Sequence, residues 1–159
     1  MHSINLTKTL AEILLSRNWT LSLAESCTGG LVSATLTELA GSSEWFERGY
    51  ITYSNEAKKE CLDVPAQLIE SHGAVSEPVA KAMAEGARIN SGSDVAISIT
   101  GIAGPSGGTA EKPVGTVCFG WATENQTLSK TIHFDGDRQA VRQQATEFAL
   151  TELIALLRS

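Results

Sequence analysis

The run from Asp94 to Thr100, DVAISIT, restricts the fold more than any other segment. It is β-branched and almost uniformly apolar, the pattern of a strand covered by helices on both faces rather than one with a wet side. The chain supplies helices for both sides. Leu6 to Arg17 carries Leu6, Leu10, Ile13 and Leu14 at the spacing of an amphipathic helix. Leu31 to Leu39 continues as a helix of small and apolar residues that ends at Gly41. Glu77 to Ile89 is opened by Ser76 with Pro78 in the first turn, and Asp137 caps a last helix reaching Leu157.

Thr20 to Glu25, Gly49 to Tyr53, Val114 to Ala122 and Thr127 to Phe134 read as the remaining strands. Glu124, Asn125 and Gln126 join the last two into an antiparallel hairpin. Asn55 suits the cap of a helix carrying Lys58 and Lys59. Strands alternating with helices, followed by that hairpin, predict an α/β chain, three-layer α/β/α, around a mixed, mostly parallel five-stranded sheet. With 159 residues and no linker, repeat or low-complexity stretch, residues 1–159 are expected to form a single domain.

The formal charge of -6 works against binding to nucleic acid, whose phosphates attract clustered Lys and Arg. Apolar runs are short, and the N-terminus has neither a basic nor an apolar leader segment, so no membrane association and a cytoplasmic location are expected. Cys27, Cys61 and Cys118 lack the spacing of a disulfide or zinc set, and His2, His72 and His133 belong to no ligand pair. No metal and no cofactor is expected.

Ala24-Glu25-Ser26-Cys27-Thr28-Gly29-Gly30 sets a hydroxyl at the end of a strand and just before a helix, where backbone amides lack partners. That arrangement fits a nucleophile beside an oxyanion hole, and it fits equally a helix cap with packing glycines. Serine needs a neighbouring base. The histidines are poorly placed for it, whereas Lys58 lies near the start of a helix, where a buried amine is kept neutral by desolvation and the helix dipole. Tyr53 precedes it and is placed to pass a proton or orient the amine; an ordinary surface lysine and half-buried tyrosine match the same pattern. Cys27, a thiol at a helix N-terminus, competes with Ser26 as nucleophile.

Gly101-Ile102-Ala103-Gly104-Pro105-Ser106-Gly107-Gly108-Thr109 follows the central strand and holds four glycines in nine residues. It lacks the ending of a P-loop and suits either an anion cradle or a tight crossover. Arg138 and Arg142 stand one turn apart on the last helix, able to grip phosphate or carboxylate.

Taken together, these segments resemble the CinA C-terminal domain family of nicotinamide-nucleotide amidohydrolases. The likeness runs through Ala24 to Gly30, Gly41-Ser42-Ser43, Tyr53 to Lys58, His72 to Ser76, Thr100 to Pro105, Gly107-Gly108, Lys112 to Val117, and Phe134 to Arg138 with Arg142. It implies hydrolysis of nicotinamide mononucleotide to nicotinic acid mononucleotide and ammonia in pyridine nucleotide recycling. It implies Ser26, Tyr53 and Lys58 as catalytic residues, which favours Ser26 over Cys27. Cys27, Thr28, Gly29, Gly30, the loop residues Gly101, Ile102, Ala103, Gly104, Gly107, Gly108 and Thr109, and Arg138 and Arg142 become expected substrate-binding positions. The resemblance also implies a homo-oligomer. Many members carry an additional N-terminal domain, whose activity is not expected of this sequence.

Overall fold

The computed structural model describes residues 2–159. Helix α1 (His2–Arg17) leads into strand β1 (Leu21–Glu25), helix α2 (Leu31–Thr37), a 3-10 turn at Ser42–Glu44 and strand β2 (Phe46–Ile51). Helices α3 (Asn55–Leu62), α4 (Ala66–His72) and α5 (Glu77–Ser91) follow. Strands β3 (Val95–Gly101), β4 (Thr116–Thr123) and β5 (Thr127–His133) precede the long helix α6 (Arg138–Arg158).

The sheet order is β2-β1-β3-β4-β5. β1 lies parallel to β2 and β3, and β4 runs antiparallel to β3 and β5. The expected mixed sheet with its terminal hairpin is what forms.

Side-chain size sorts the two faces. Val95, Ile97 and Ile99 of β3 join Leu21, Leu23, Val117, Phe119 and Trp121 under α1, α2 and α6. The opposite face is floored by small residues: Ser22, Ala24, Ala96, Ser98 and Gly120. They let α5 sit close, and Ser22 and Ser98 donate hydroxyl hydrogens to the carbonyls of Ala87 and Ala80. A Cβ at Gly120 would stand 2.5 Å from the Ala80 carbonyl oxygen, so only glycine permits that approach. The central strand is therefore covered on both sides, with its large residues committed to one.

Three details differ from the sequence expectation. β2 is Phe46–Ile51 rather than Gly49 to Tyr53. It is an edge strand with a largely exposed pattern, so hydrophobic spacing marks its ends poorly. α4 had no sequence signal because none of its residues is buried. The cap of α3 is Ser54, whose hydroxyl accepts from the Ala57 amide, and Asn55 is the first helical residue.

Parallel pairing brings the carboxyl ends of β2, β1 and β3 to one edge. The Ser26 amide donates to the Ile99 carbonyl at 3.0 Å, and the Thr52 amide to the Glu25 carbonyl at 2.8 Å. The residues that follow the three strands meet there, outside the carboxyl ends where ligands of open α/β sheets bind.

Candidate active site

The first turn of α3 points Lys58 back toward the end of β1. The side chain is 1% exposed, and its Nζ lies 3.0 Å from Ser26 Oγ, 3.1 Å from the Thr52 carbonyl oxygen and 3.2 Å from that of Tyr53. Ser26 is 7% exposed, and its hydroxyl also lies 3.3 Å from the Tyr53 carbonyl. Burial lowers the pKa of Lys58 below the ordinary lysine value, opposed by Coulomb interaction with Cys27. Among the described residues Lys58 has no carboxylate partner. Nζ donates toward Ser26 Oγ and the carbonyls of Thr52, Tyr53 and, at 3.5 Å, Ser54, while the Ser26 hydroxyl donates toward the Tyr53 carbonyl, and burial disfavours a charge on the amine.

The turn after β1 completes the surroundings of Ser26. The Gly29 amide donates to the Ser26 carbonyl, the Leu31 amide to the Thr28 carbonyl, and the Gly30 amide to the Glu25 carboxylate. The amides of Cys27 and Thr28 are not taken by any other residue among those described. They are the two that directly follow Ser26; Cys27 lines the cleft, so its amide can meet an oxyanion there, whereas Thr28 is fully buried. Gly29 and Gly30 have φ of 54° and 105°, a left-handed pair that lets the turn close. Cys27 packs its thiol into the core, and burial pushes its pKa up to about 12, so it stays a protonated apolar side chain.

The cleft in front of Ser26 has a volume of about 220 Å³. Ser26, Cys27, Tyr53, Lys58, Gly101, Ala103 and Arg138 line it, together with Asn55, Ala74, Val75 and Thr100, which the residue-level reading had not singled out. Thr100 was findable from strand order, since the β1–β3 register sets the end of β3 beside Ser26. Its hydroxyl donates to the Ala74 carbonyl at 3.0 Å and holds residues 73–75 at the mouth.

Tyr53 is 60% exposed and offers Lys58 its carbonyl, while its hydroxyl accepts from Arg138 at 3.3 Å. Arg138 also donates to the Gly104 carbonyl at 2.7 Å, bridging the Gly-rich loop and Tyr53 across the cleft. Arg142 donates to the carbonyls of Cys27 and Thr28 at 3.1 and 2.7 Å, bracing the turn behind the serine. Ile102 pairs its backbone with Gly115 and Thr116 at the neck of the loop. Gly107, Gly108 and Thr109 lie farther out, exposed and away from the cleft lining. The Thr28 hydroxyl is buried without a partner.

A model of the CinA C-terminal domain matches residues 3–157. Nicotinamide-nucleotide amidohydrolase PncC of Escherichia coli strain K12 is 50% identical over 151 residues, covering 94% of this chain and 92% of that protein. A putative competence-damage inducible protein of Symbiobacterium thermophilum is 51% identical over 154 residues, 91% of this chain. The chain spans only 36% of that longer relative, and likewise 36% of a CinA-like protein from Syntrophobacter fumaroxidans. Among solved structures, the competence/damage inducible protein CihA of Agrobacterium tumefaciens superposes with a TM-score of 0.96 at 39% identity, over 100% of this chain and 97% of that one.

Proposed function

The chain belongs to the CinA C-terminal domain family, and on that premise we propose that it hydrolyses the carboxamide of nicotinamide mononucleotide, releasing ammonia and nicotinic acid mononucleotide in NAD recycling. The observation that carries the reading is the buried contact between Lys58 Nζ and Ser26 Oγ. The printed name of the Escherichia coli relative supports the substrate.

Neutral Lys58 takes the Ser26 proton as Oγ forms a bond to the carboxamide carbon. Negative charge moves onto the carbonyl oxygen, where the Cys27 amide acts as a preorganised donor, worth about 3 kcal/mol in known cases. The intermediate collapses by breaking the C–N bond, and the Lys58 ammonium gives its proton to the departing nitrogen, which leaves as ammonia. Water then attacks the ester with Lys58 again as base, and the serine oxygen leaves with that proton. Tyr53 orients the amine through its carbonyl. Arg138 supplies a cation at the rim for the phosphate, and the cytoplasm is the proposed site of the reaction.

Ammonia and nicotinic acid mononucleotide measured together, across a panel of nicotinamide mononucleotide, free nicotinamide and unrelated amides, test the reading. Turnover confined to the mononucleotide is expected. Binding without ammonia release, or release only from other amides, would contradict it.

A further inference from the structure

Glu25, the residue before the serine, is 1% exposed, and among the described residues it forms no ion pair. Its carboxylate is met instead by four donors from one helical turn. Oε1 accepts from the amides of Gly30 and Val32 at 3.1 and 3.0 Å, and Oε2 from the amide and hydroxyl of Ser33 at 2.9 and 2.6 Å. A buried anion is strongly disfavoured unless donors surround it. Because all four come from the start of α2, carboxylate and turn hold each other in place. The first amides of α2 are thereby closed to any anion of the substrate.

The consequence falls on the atoms beside Ser26. Glu25 takes the Gly30 amide, and the turn's own carbonyls take those of Gly29 and Leu31. Among the described residues the Cys27 and Thr28 amides have no other residue as acceptor, and of the two Cys27 is the one that lines the cleft. We infer that Glu25 is a positioning residue for acyl transfer: by binding the amides of Gly30, Val32 and Ser33, it fixes the turn so that the Cys27 amide is left for the oxyanion. The inference rests on the serine mechanism proposed above. Glu25 touches no reacting atom itself. Its effect belongs to the transition state, where charge appears on the carbonyl oxygen, and not to binding of the uncharged amide.

The test is steady-state kinetics on nicotinamide mononucleotide with Glu25→Gln, Ser33→Ala and Ser26→Ala. Gln matches Glu in size but turns one acceptor into an NH2 donor facing donors, so part of the turn must release. The expected result for Glu25→Gln is a fall in kcat of at least about 10-fold with KM within about 3-fold, in line with loss of an oxyanion donor. Ser33→Ala removes one donor to the carboxylate, and a smaller fall in kcat at unchanged KM is expected; it decides the matter if Glu25→Gln does not fold. Full kcat in folded Glu25→Gln, or KM rising as kcat falls, would overturn the inference, as would unchanged kcat in Ser33→Ala. Turnover surviving in Ser26→Ala would defeat the serine mechanism itself. A silent Ser26→Ala beside a fully active Glu25→Gln would defeat only the role given to Glu25.

Discussion

Lys58 Nζ stands 3.0 Å from Ser26 Oγ, inside a cage of backbone carbonyls and without a carboxylate at hand. Burial disfavours a charge on this amine, and in the proposed mechanism the neutral amine takes the proton of the serine beside it. With Lys58 as the proposed base, replacement by a guanidinium, which does not lose its charge, removes that base. Lys58→Arg should therefore lose about 10²- to 10⁴-fold in kcat, read as ammonia release by folded protein.

The depressed pKa of Lys58 has a signed consequence for activity. In the proposed mechanism only the neutral amine accepts the serine proton, so kcat/KM should rise with pH and level off at an inflection below the ordinary lysine value of about 10.4. A profile still rising beyond that value would mean that burial does not shift this group.

Stability responds to the same group. The unfolded chain binds the lysine proton more tightly than the folded one, so lowering pH from the unfolded value through the folded value favours unfolding. Lys58→Met has no such term. Its melting temperature relative to the wild-type protein should move in the variant's favour as pH falls through that window, as measured by thermal denaturation at several pH values.

Cys27 is next to Ser26 but packs into the core, its thiol pushed up to about 12 by burial. Cys27→Ala should keep kcat within a few-fold and lower stability by about 1 kcal/mol, the scale of a small core truncation. Thiol reagents applied to the native protein should label the exposed Cys61 and spare Cys27 and Cys118.

Arg138 ties the Gly104 carbonyl to the Tyr53 hydroxyl over the cleft. Arg138→Ala removes the bridge and the cation proposed for the substrate's phosphate. KM for nicotinamide mononucleotide should rise at least about 10-fold, consistent with loss of a charge-assisted contact, with kcat less affected. Equal losses in kcat and kcat/KM would place the arginine at the reacting atoms instead.

The layers were legible in sequence wherever burial was two-sided or periodic. DVAISIT is the covered central strand, and the helices opened by Ser76 and Asp137 begin where their caps lie. Segments that bury little escaped: α4 has no fully buried residue, only Leu68 and Ile69 packed partly against the core, and β2 is an edge strand whose pattern gives no inner face. The residue pattern alone left Ser26 and Cys27 as rivals, because side-chain direction in a tight turn depends on φ/ψ that spacing does not encode. Glu25 was illegible for a related reason. A carboxylate in a strand end reads as a solvated charge until the fold wraps α2 around it.

Ammonia release from nicotinamide mononucleotide by Ser26→Ala, beside wild-type protein of matched folding, tests the central claim most directly. A loss of at least about 10³-fold is expected of a residue that forms the covalent intermediate. Near wild-type turnover in Ser26→Ala would contradict the account and pass the chemistry to a group other than the serine held by Lys58.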